Sequence, residues 1–187
     1  MFAPGAGWDY AALNWVIVAV VVEAATGQAF EATVERLVLD PLRMTGAGFA
    51  QPGQPPLPRL VAAYRDAPTP VRKMDSIPAF AAASGNVADT LRDAARAAHG
   101  IFHGALLRPT SQRALRTVRW APQEYALGGR IHDLDGDAWG WETGKVQGYR
   151  THIAHRLARS ETVIIFFNTT DLPQSDLTGW IEVIARA

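Results

Sequence analysis

The sequence predicts an α+β fold, a helical region followed by an antiparallel sheet with a C-terminal helix. Three observations carry this. Apolar residues recur at helical spacing in several stretches before Trp120. After Trp120 the pattern changes to short β-rich runs, and a last apolar-periodic stretch, about Gln174 to Ile184, closes the chain. Residues 1–120 are expected to form the helical part and residues 121–187 the strands and last helix of the same domain.

The first expected helix spans residues 10 to 26, with Asp9 as N-cap and Gly27 at the C-terminal cap; its continuous apolar run, Trp15 to Val22, reads as buried core. Phe30, Val34, Leu37 and Val38 give a second, amphipathic helix that ends before Pro41. Residues 51 to 70 hold Pro52, Pro55, Pro56, Pro58, Pro68 and Pro70, and read as a long surface loop. Leu91, Ala94, Ala95, Ala98, Ile101 and Phe102 mark a helix from Asp89 to about His103, and Pro109 opens another through Val118. Strands are expected at Tyr125 to Ile131, Ala138 to Thr143, Tyr149 to Leu157 and Thr162 to Phe167, with tight connections at Asp135-Gly136 and Arg159-Ser160. Val163 to Phe167 lacks polar alternation and should be buried on both faces. A sheet beginning only at Tyr125 has few strands and at least one open edge.

Composition narrows the function classes. The 187 residues carry 18 basic and 18 acidic side chains, so the formal charge is zero, which argues against a charge-driven nucleic-acid partner. Hydrophobic residues make up 48% of the chain, enough for a packed core. Cysteine is absent, which removes disulfides, thiolate nucleophiles and cysteine-based metal sites together. The Trp15–Val22 run is too short for a membrane span, and the first residues lack the basic and apolar regions of a secretory signal.

Few residues suggest chemistry by type and spacing alone. His99 and His103 stand four apart on one helix face, as two metal ligands could, yet no third ligand is identifiable and a solvated face is the plainer reading. His152 and His155, three apart in a strand, point to opposite faces. Asp133, Asp135 and Asp137 resemble the start of a calcium loop, but Gly144 occupies the position that needs a bidentate Glu, which favours a hairpin turn. Arginines 92, 96, 108, 113, 116 and 119 form a basic stretch best read as solvated. No metal and no cofactor are expected. The phosphate-loop, dinucleotide and Gly-x-Ser-x-Gly motifs are all absent.

Spaced landmarks give a more specific reading. Pro4-Gly-Ala-Gly-Trp-Asp-Tyr10 is followed by Leu13-Asn-Trp15, and Glu23-Ala-Ala-Thr-Gly-Gln-Ala-Phe30 by Asp40-Pro-Leu-Arg-Met-Thr-Gly-Ala-Gly-Phe49. Ser84-Gly-Asn-Val-Ala-Asp-Thr-Leu-Arg-Asp93, Gly104-Ala-Leu-Leu-Arg-Pro109, Tyr125-Ala-Leu-Gly128, Glu142-Thr-Gly144 before Gly148-Tyr149, and Val163 to Asn168 complete the series. In this order they resemble the serine β-lactamase, D-alanyl-D-alanine carboxypeptidase and esterase superfamily, in its class C-like, penicillin-binding-protein-like branch, and correspond to its C-terminal portion. The resemblance implies a partial β-lactamase or transpeptidase-like fold and acyl transfer to water from a β-lactam, a D-Ala-D-Ala peptide or an ester. It also implies a family that is mostly periplasmic or secreted.

The same resemblance assigns roles. Tyr10 corresponds to the tyrosine of Tyr-x-Asn, a general base or acid, although a packed aromatic at a helix start explains it equally well. Ala12 stands where the motif has Asn. Glu142, Thr143 and Gly144 fall on the substrate strand, where the family has Lys or His, then Thr-Gly. An acidic Glu142 is expected to repel the carboxylate of a penicillin or peptide, and Lys145 to point away from the faces of Glu142 and Gly144. None of Ser76, Ser84, Ser111, Ser160 and Ser175 has Lys three residues on, and the only lysines are Lys73 and Lys145, so the nucleophilic Ser-x-x-Lys is absent. Two functions follow. One is a serine hydrolase completed by an N-terminal segment and inactive alone, acting on a small-molecule or peptide substrate. The other is a non-catalytic binding or structural module, or a decayed remnant. Oligomeric state and compartment stay open.

Overall fold

The computed structural model describes residues 2–3, 5–50, 60–64, 83–146, 148–169 and 174–186, with side chains of 174–177 outside the description. Its centre is a four-stranded sheet of β3 (Arg130–Leu134), β4 (Asp137–Val146), β5 (Tyr149–Arg156) and β6 (Glu161–Phe167), hydrogen-bonded in that order and antiparallel throughout. Asp135 and Gly136 turn the β3–β4 hairpin at φ 55° and 87°, and Asp133 Oδ1 accepts the Gly136 N–H at 3.0 Å. The three aspartates therefore build a turn, as the hairpin reading expected.

Strand alternation assigns the two faces. One carries Leu134, Trp139 and Ala154, which pack against Ile181 and Ala185 of α5 (Gln174–Arg186) to form the core, with Trp141, Val163 and Ile165 alongside. The other faces α3 (Leu91–Phe102). There Gly140 is bare because the Phe102 ring lies over it: a Cβ at residue 140 would fall 2.3 Å from Phe102 Cζ. Helices thus cover both sides of the sheet.

Local sequence explains the helices. Thr90 caps α3 by accepting the Asp93 N–H at 3.1 Å, and Pro109 takes the first position of α4 (Pro109–Arg116), where its missing N–H costs nothing. The Asp93 carboxylate also accepts the Gly46 N–H at 2.9 Å and meets Arg96 at 3.0 Å, tying α3 to the turn after residue 44. The two-residue strands β1 (Gly48–Phe49) and β2 (Val87–Ala88) pair beside it.

Several expectations change. Helix α1 (Ala12–Thr26) starts two residues late, with Ala11 as its N-cap and no capping side chain, while Gly27 closes it in the left-handed conformation at φ 68°. It is not a buried helix: Ala19 is its one buried residue, and Leu13, Ile17, Val20 and Val21 are exposed. Its apolar residues occupy every side, and the described residues cover only part of it, chiefly through α2 (Phe30–Val34). The second helix does not stay α-helical. Glu35–Leu39 widens into a π-helical turn in which Asp40 N–H reaches the Glu35 carbonyl five residues back.

The helix from Pro109 ends at Arg116 rather than Val118. No strand begins at Tyr125. Ala121–Gln123 form a 3₁₀ turn, and Glu124 and Gly128 have φ of 54° and 88°, so Tyr125 makes only isolated bridges to Trp120 and Arg130. The β6 residues Val163 to Phe167 are half-buried rather than buried, and among the described residues β6 has a sheet neighbour only on its β5 side. Most of the 51–70 loop lies outside the described residues.

Candidate active site

β4 outruns its neighbour β3. Pairing between them stops at Arg130 opposite Trp141, whereas β4 pairs with β5 as far as Val146 opposite Tyr149. Residues 142–146 therefore have β5 on one side and, among the described residues, no strand on the other. Successive residues of an antiparallel strand direct their backbone groups to alternate sides. The Thr143 N–H faces the unpaired side, because its partner is a side chain, Glu142 Oε1 at 2.9 Å. Lys145, two residues on, directs its N–H the same way. Gly144 lies close against β5: a Cβ there would stand 2.4 Å from Thr151 Oγ1, which would have to turn away.

Glu142 covers this edge. Its Oε1 also receives Arg130 Nη1 at 3.1 Å, while its Oε2 is buried without a hydrogen-bond partner. Burial pushes the Glu142 carboxyl above its usual range, against the opposing pull of the Thr143 N–H and the Arg130 guanidinium. The Arg130 guanidinium continues over the Tyr125 ring at 5.4 Å, and Trp8 packs on that ring at 5.0 Å. Burial raises the Tyr125 phenol, and charge on Glu142 and on Tyr10 raises it further, while Arg130 opposes them.

Tyr10, 51% exposed, lies just ahead of α1, and its charge acts on the Tyr125 phenol as that of Glu142 does. Ala12, the first residue of α1, contributes no hydrogen-bonding side chain there. Thr143 does not join the group through its side chain, which shares the opposite face of β4 with Trp141. Lys145 is exposed and, as expected from alternation, lies on the Thr143 face, away from Glu142 and Gly144. It is Arg130 that supplies the local positive charge. Sequence reasoning missed this role for Arg130, along with those of Tyr125 and Trp8. All three depend on how the 120–130 turn folds back onto β4, and only the fixed 130–141 register would have revealed Arg130.

The other candidates lie elsewhere. Ser160, in the β5–β6 turn, meets His99 Nδ1 at 2.7 Å, but Gly144 lies opposite Thr151 at the far end of β5, about 20 Å away at the usual rise per residue. Ser76 and Lys73 lie outside the described residues, as does the Ser175 side chain. Among the described residues no group of three His, Asp or Glu is placed to hold a metal ion. In the basic stretch, Arg96 bonds to the Arg43 carbonyl and to Asp93. No single described helix is long and apolar enough to cross a membrane.

An antiparallel sheet layered between helices, closed by a C-terminal helix, is the architecture of penicillin-binding-protein and β-lactamase-like folds. The family model described as Beta-lactamase matches residues 1–187, and the chain belongs to that family. The esterase EstB of Burkholderia gladioli is 44% identical over 77 residues, 41% of this chain and 19% of that protein. A penicillin binding protein from Bacillus halodurans superimposes with TM-score 0.83 at 21% identity, covering 98% of this chain and 58% of that one. The octameric penicillin-binding protein homologue from Pyrococcus abyssi gives 0.82 at 17% identity, covering 99% and 44%. A D-stereospecific amidohydrolase from Streptomyces sp. gives 0.77 at 21%, covering 89% and 52%. The chain spans about half the length of these solved structures, and its matched segment about a fifth of EstB.

Proposed function

We propose that this chain supplies the proton-transfer tyrosine and the substrate strand of a serine hydrolase that acts on esters, and that the nucleophilic serine comes from outside these 187 residues. Tyr10 is the general base and acid. The backbone N–H of Lys145, on the side of β4 away from β5 and beside Gly144, receives the acyl oxygen, while the Thr143 N–H is held by Glu142. The observation that carries this reading is the β4 edge at residues 142–146, which has no strand partner on its outer side among the described residues and is covered by Glu142 and Arg130. Family membership and the esterase relative support it. A serine hydroxyl needs a neighbouring base to become a nucleophile, and no Ser-x-x-Lys is present, so the 187 residues are inactive alone.

Glu142 sets the substrate class. Its carboxylate occupies the Thr143 N–H where the superfamily resemblance implies a cation, and Arg130 offsets the charge only on the Oε1 side. A substrate carboxylate brought to this edge meets a like charge, whereas a neutral ester does not. When the chain is extended by a segment carrying Ser-x-x-Lys, p-nitrophenyl acetate is hydrolysed and the carboxylate-bearing benzylpenicillin is turned over at least about tenfold more slowly, a difference of about 1.4 kcal/mol. Equal or faster penicillin turnover overturns the ester assignment. A second reading, a non-catalytic binding or structural module, is favoured by Ala12 and Glu142 themselves, since both depart from the superfamily motifs. It predicts that the extended chain hydrolyses neither compound.

A further inference from the structure

The fold gathers His99 and His103 of α3 with His155 of β5, and the hydrogen bonds fix where their protons sit. His103 Nε2 lies 2.7 Å from the Leu157 carbonyl oxygen. A carbonyl only accepts, so this nitrogen carries a hydrogen and the neutral ring has its lone pair on Nδ1. That Nδ1 lies 2.6 Å from His155 Nε2, which must therefore donate. His155 Nδ1 is then left to accept the Thr162 hydroxyl at 2.7 Å. A first extra proton fits as well. Placed on His103 Nδ1, it is donated to His155 Nε2, whose own hydrogen shifts to Nδ1 and is donated to Thr162 Oγ1. A second does not fit, because both facing nitrogens then carry hydrogens across 2.6 Å.

We propose that the His103–His155 pair is a proton-operated latch between α3 and the sheet, closed with no extra proton or one and opened by the second. Its setting favours such behaviour. His155 is fully buried, with the Phe102 ring stacked on it at 5.5 Å and bare Gly140 opposite on β4. The groups facing it are His99 and His103 from α3, Arg116 from the end of α4 and Thr162 from β6, none of them acidic. Glu142, next but one to Gly140 on the same face of β4, is held by Arg130. Burial, then charge on His103, His99 and Arg116, pushes His155 down to about 4. A base depressed in the folded chain is protonated first in the unfolded one. Stability from neutral His155 is thus present above its ordinary value of 6.5 and is lost as pH falls toward about 4. Because α3 packs on β5 and β6 and holds Gly46 through Asp93, opening the latch frees the helical segment from the sheet.

A global melt does not isolate this device. Buried His152 is also pushed down to about 4 and acts with the same sign, while burial beside Asp93 raises Asp89 to about 6, a contribution lost as pH rises. Ring-nitrogen NMR of the ¹⁵N-labelled 187-residue chain resolves it. At pH 7.5 both rings are expected as Nε2–H tautomers, with His155 resisting protonation until about pH 4, where the amides of Leu91–Phe102 lose their proximity to β5. In His155→Gln, which takes up no proton, α3 remains docked at least one pH unit lower. Two rings titrating independently near their ordinary value with α3 still docked overturns the proposal. So does α3 release at the same pH in both chains.

Discussion

Replacing Tyr10 with Phe in a chain completed by a Ser-x-x-Lys segment lowers kcat for p-nitrophenyl acetate by about 10²–10⁴-fold, the usual contribution of a positioned acid–base group. The change removes one oxygen from a half-exposed side chain, so neither folding nor KM should move appreciably. Tyr125 is the natural control. It lies at the centre of the same cluster but is held by Trp8 and Arg130, and Tyr125→Phe keeps those ring contacts. If Tyr10→Phe leaves kcat within about twofold of the parent while Tyr125→Phe abolishes it, the proton-transfer role belongs to Tyr125.

Trp139→Ala destabilises the chain by about 3–5 kcal/mol in urea unfolding, enough to threaten a fold whose total stability is on the order of 5–15 kcal/mol. Trp139 is 2% exposed and sits among Leu134, Ala154, Ile181 and Ala185, with the Arg156 guanidinium stacked on its ring at 4.7 Å. That guanidinium also caps α5 by donating to the Ala185 carbonyl at 2.6 Å and pairs with Glu161 at 2.7 Å. Removing the indole therefore opens a cavity and takes away the surface on which an inter-element clamp rests. A loss below about 1 kcal/mol shows that α5 and the sheet do not share this core.

The helix-then-meander order and three of the four strands were legible in the sequence because they rest on local pattern, apolar spacing and turn residues such as Asp135-Gly136. What failed depended on tertiary context. Tyr125 to Ile131 has strand composition, yet the left-handed residues at 124 and 128 break it. The uniformly apolar α1 and β6 looked buried, but burial depends on what packs against an element, and composition does not specify that. At the candidate site, position on a strand was readable for Glu142, Thr143 and Gly144, whereas their neighbours were not. Arg130 reaches Glu142 only through the β3–β4 register, and the unpaired edge of β4 exists only because β3 ends first. The histidines show the same limit: helical spacing placed His99 and His103 together, but only the fold delivers His155 to them.

In the function proposed above, these 187 residues hold the proton-transfer and substrate-strand parts of an acyl-transfer site without its nucleophile. The most direct test is stoichiometric labelling with a fluorescent fluorophosphonate, run on the 187-residue chain and on the same chain extended by a Ser-x-x-Lys segment. Labelling of the extended chain alone, at the added serine, is the predicted result. Labelling of the 187-residue chain at any of its own serines overturns the proposed function, as does an extended chain that folds and remains unlabelled.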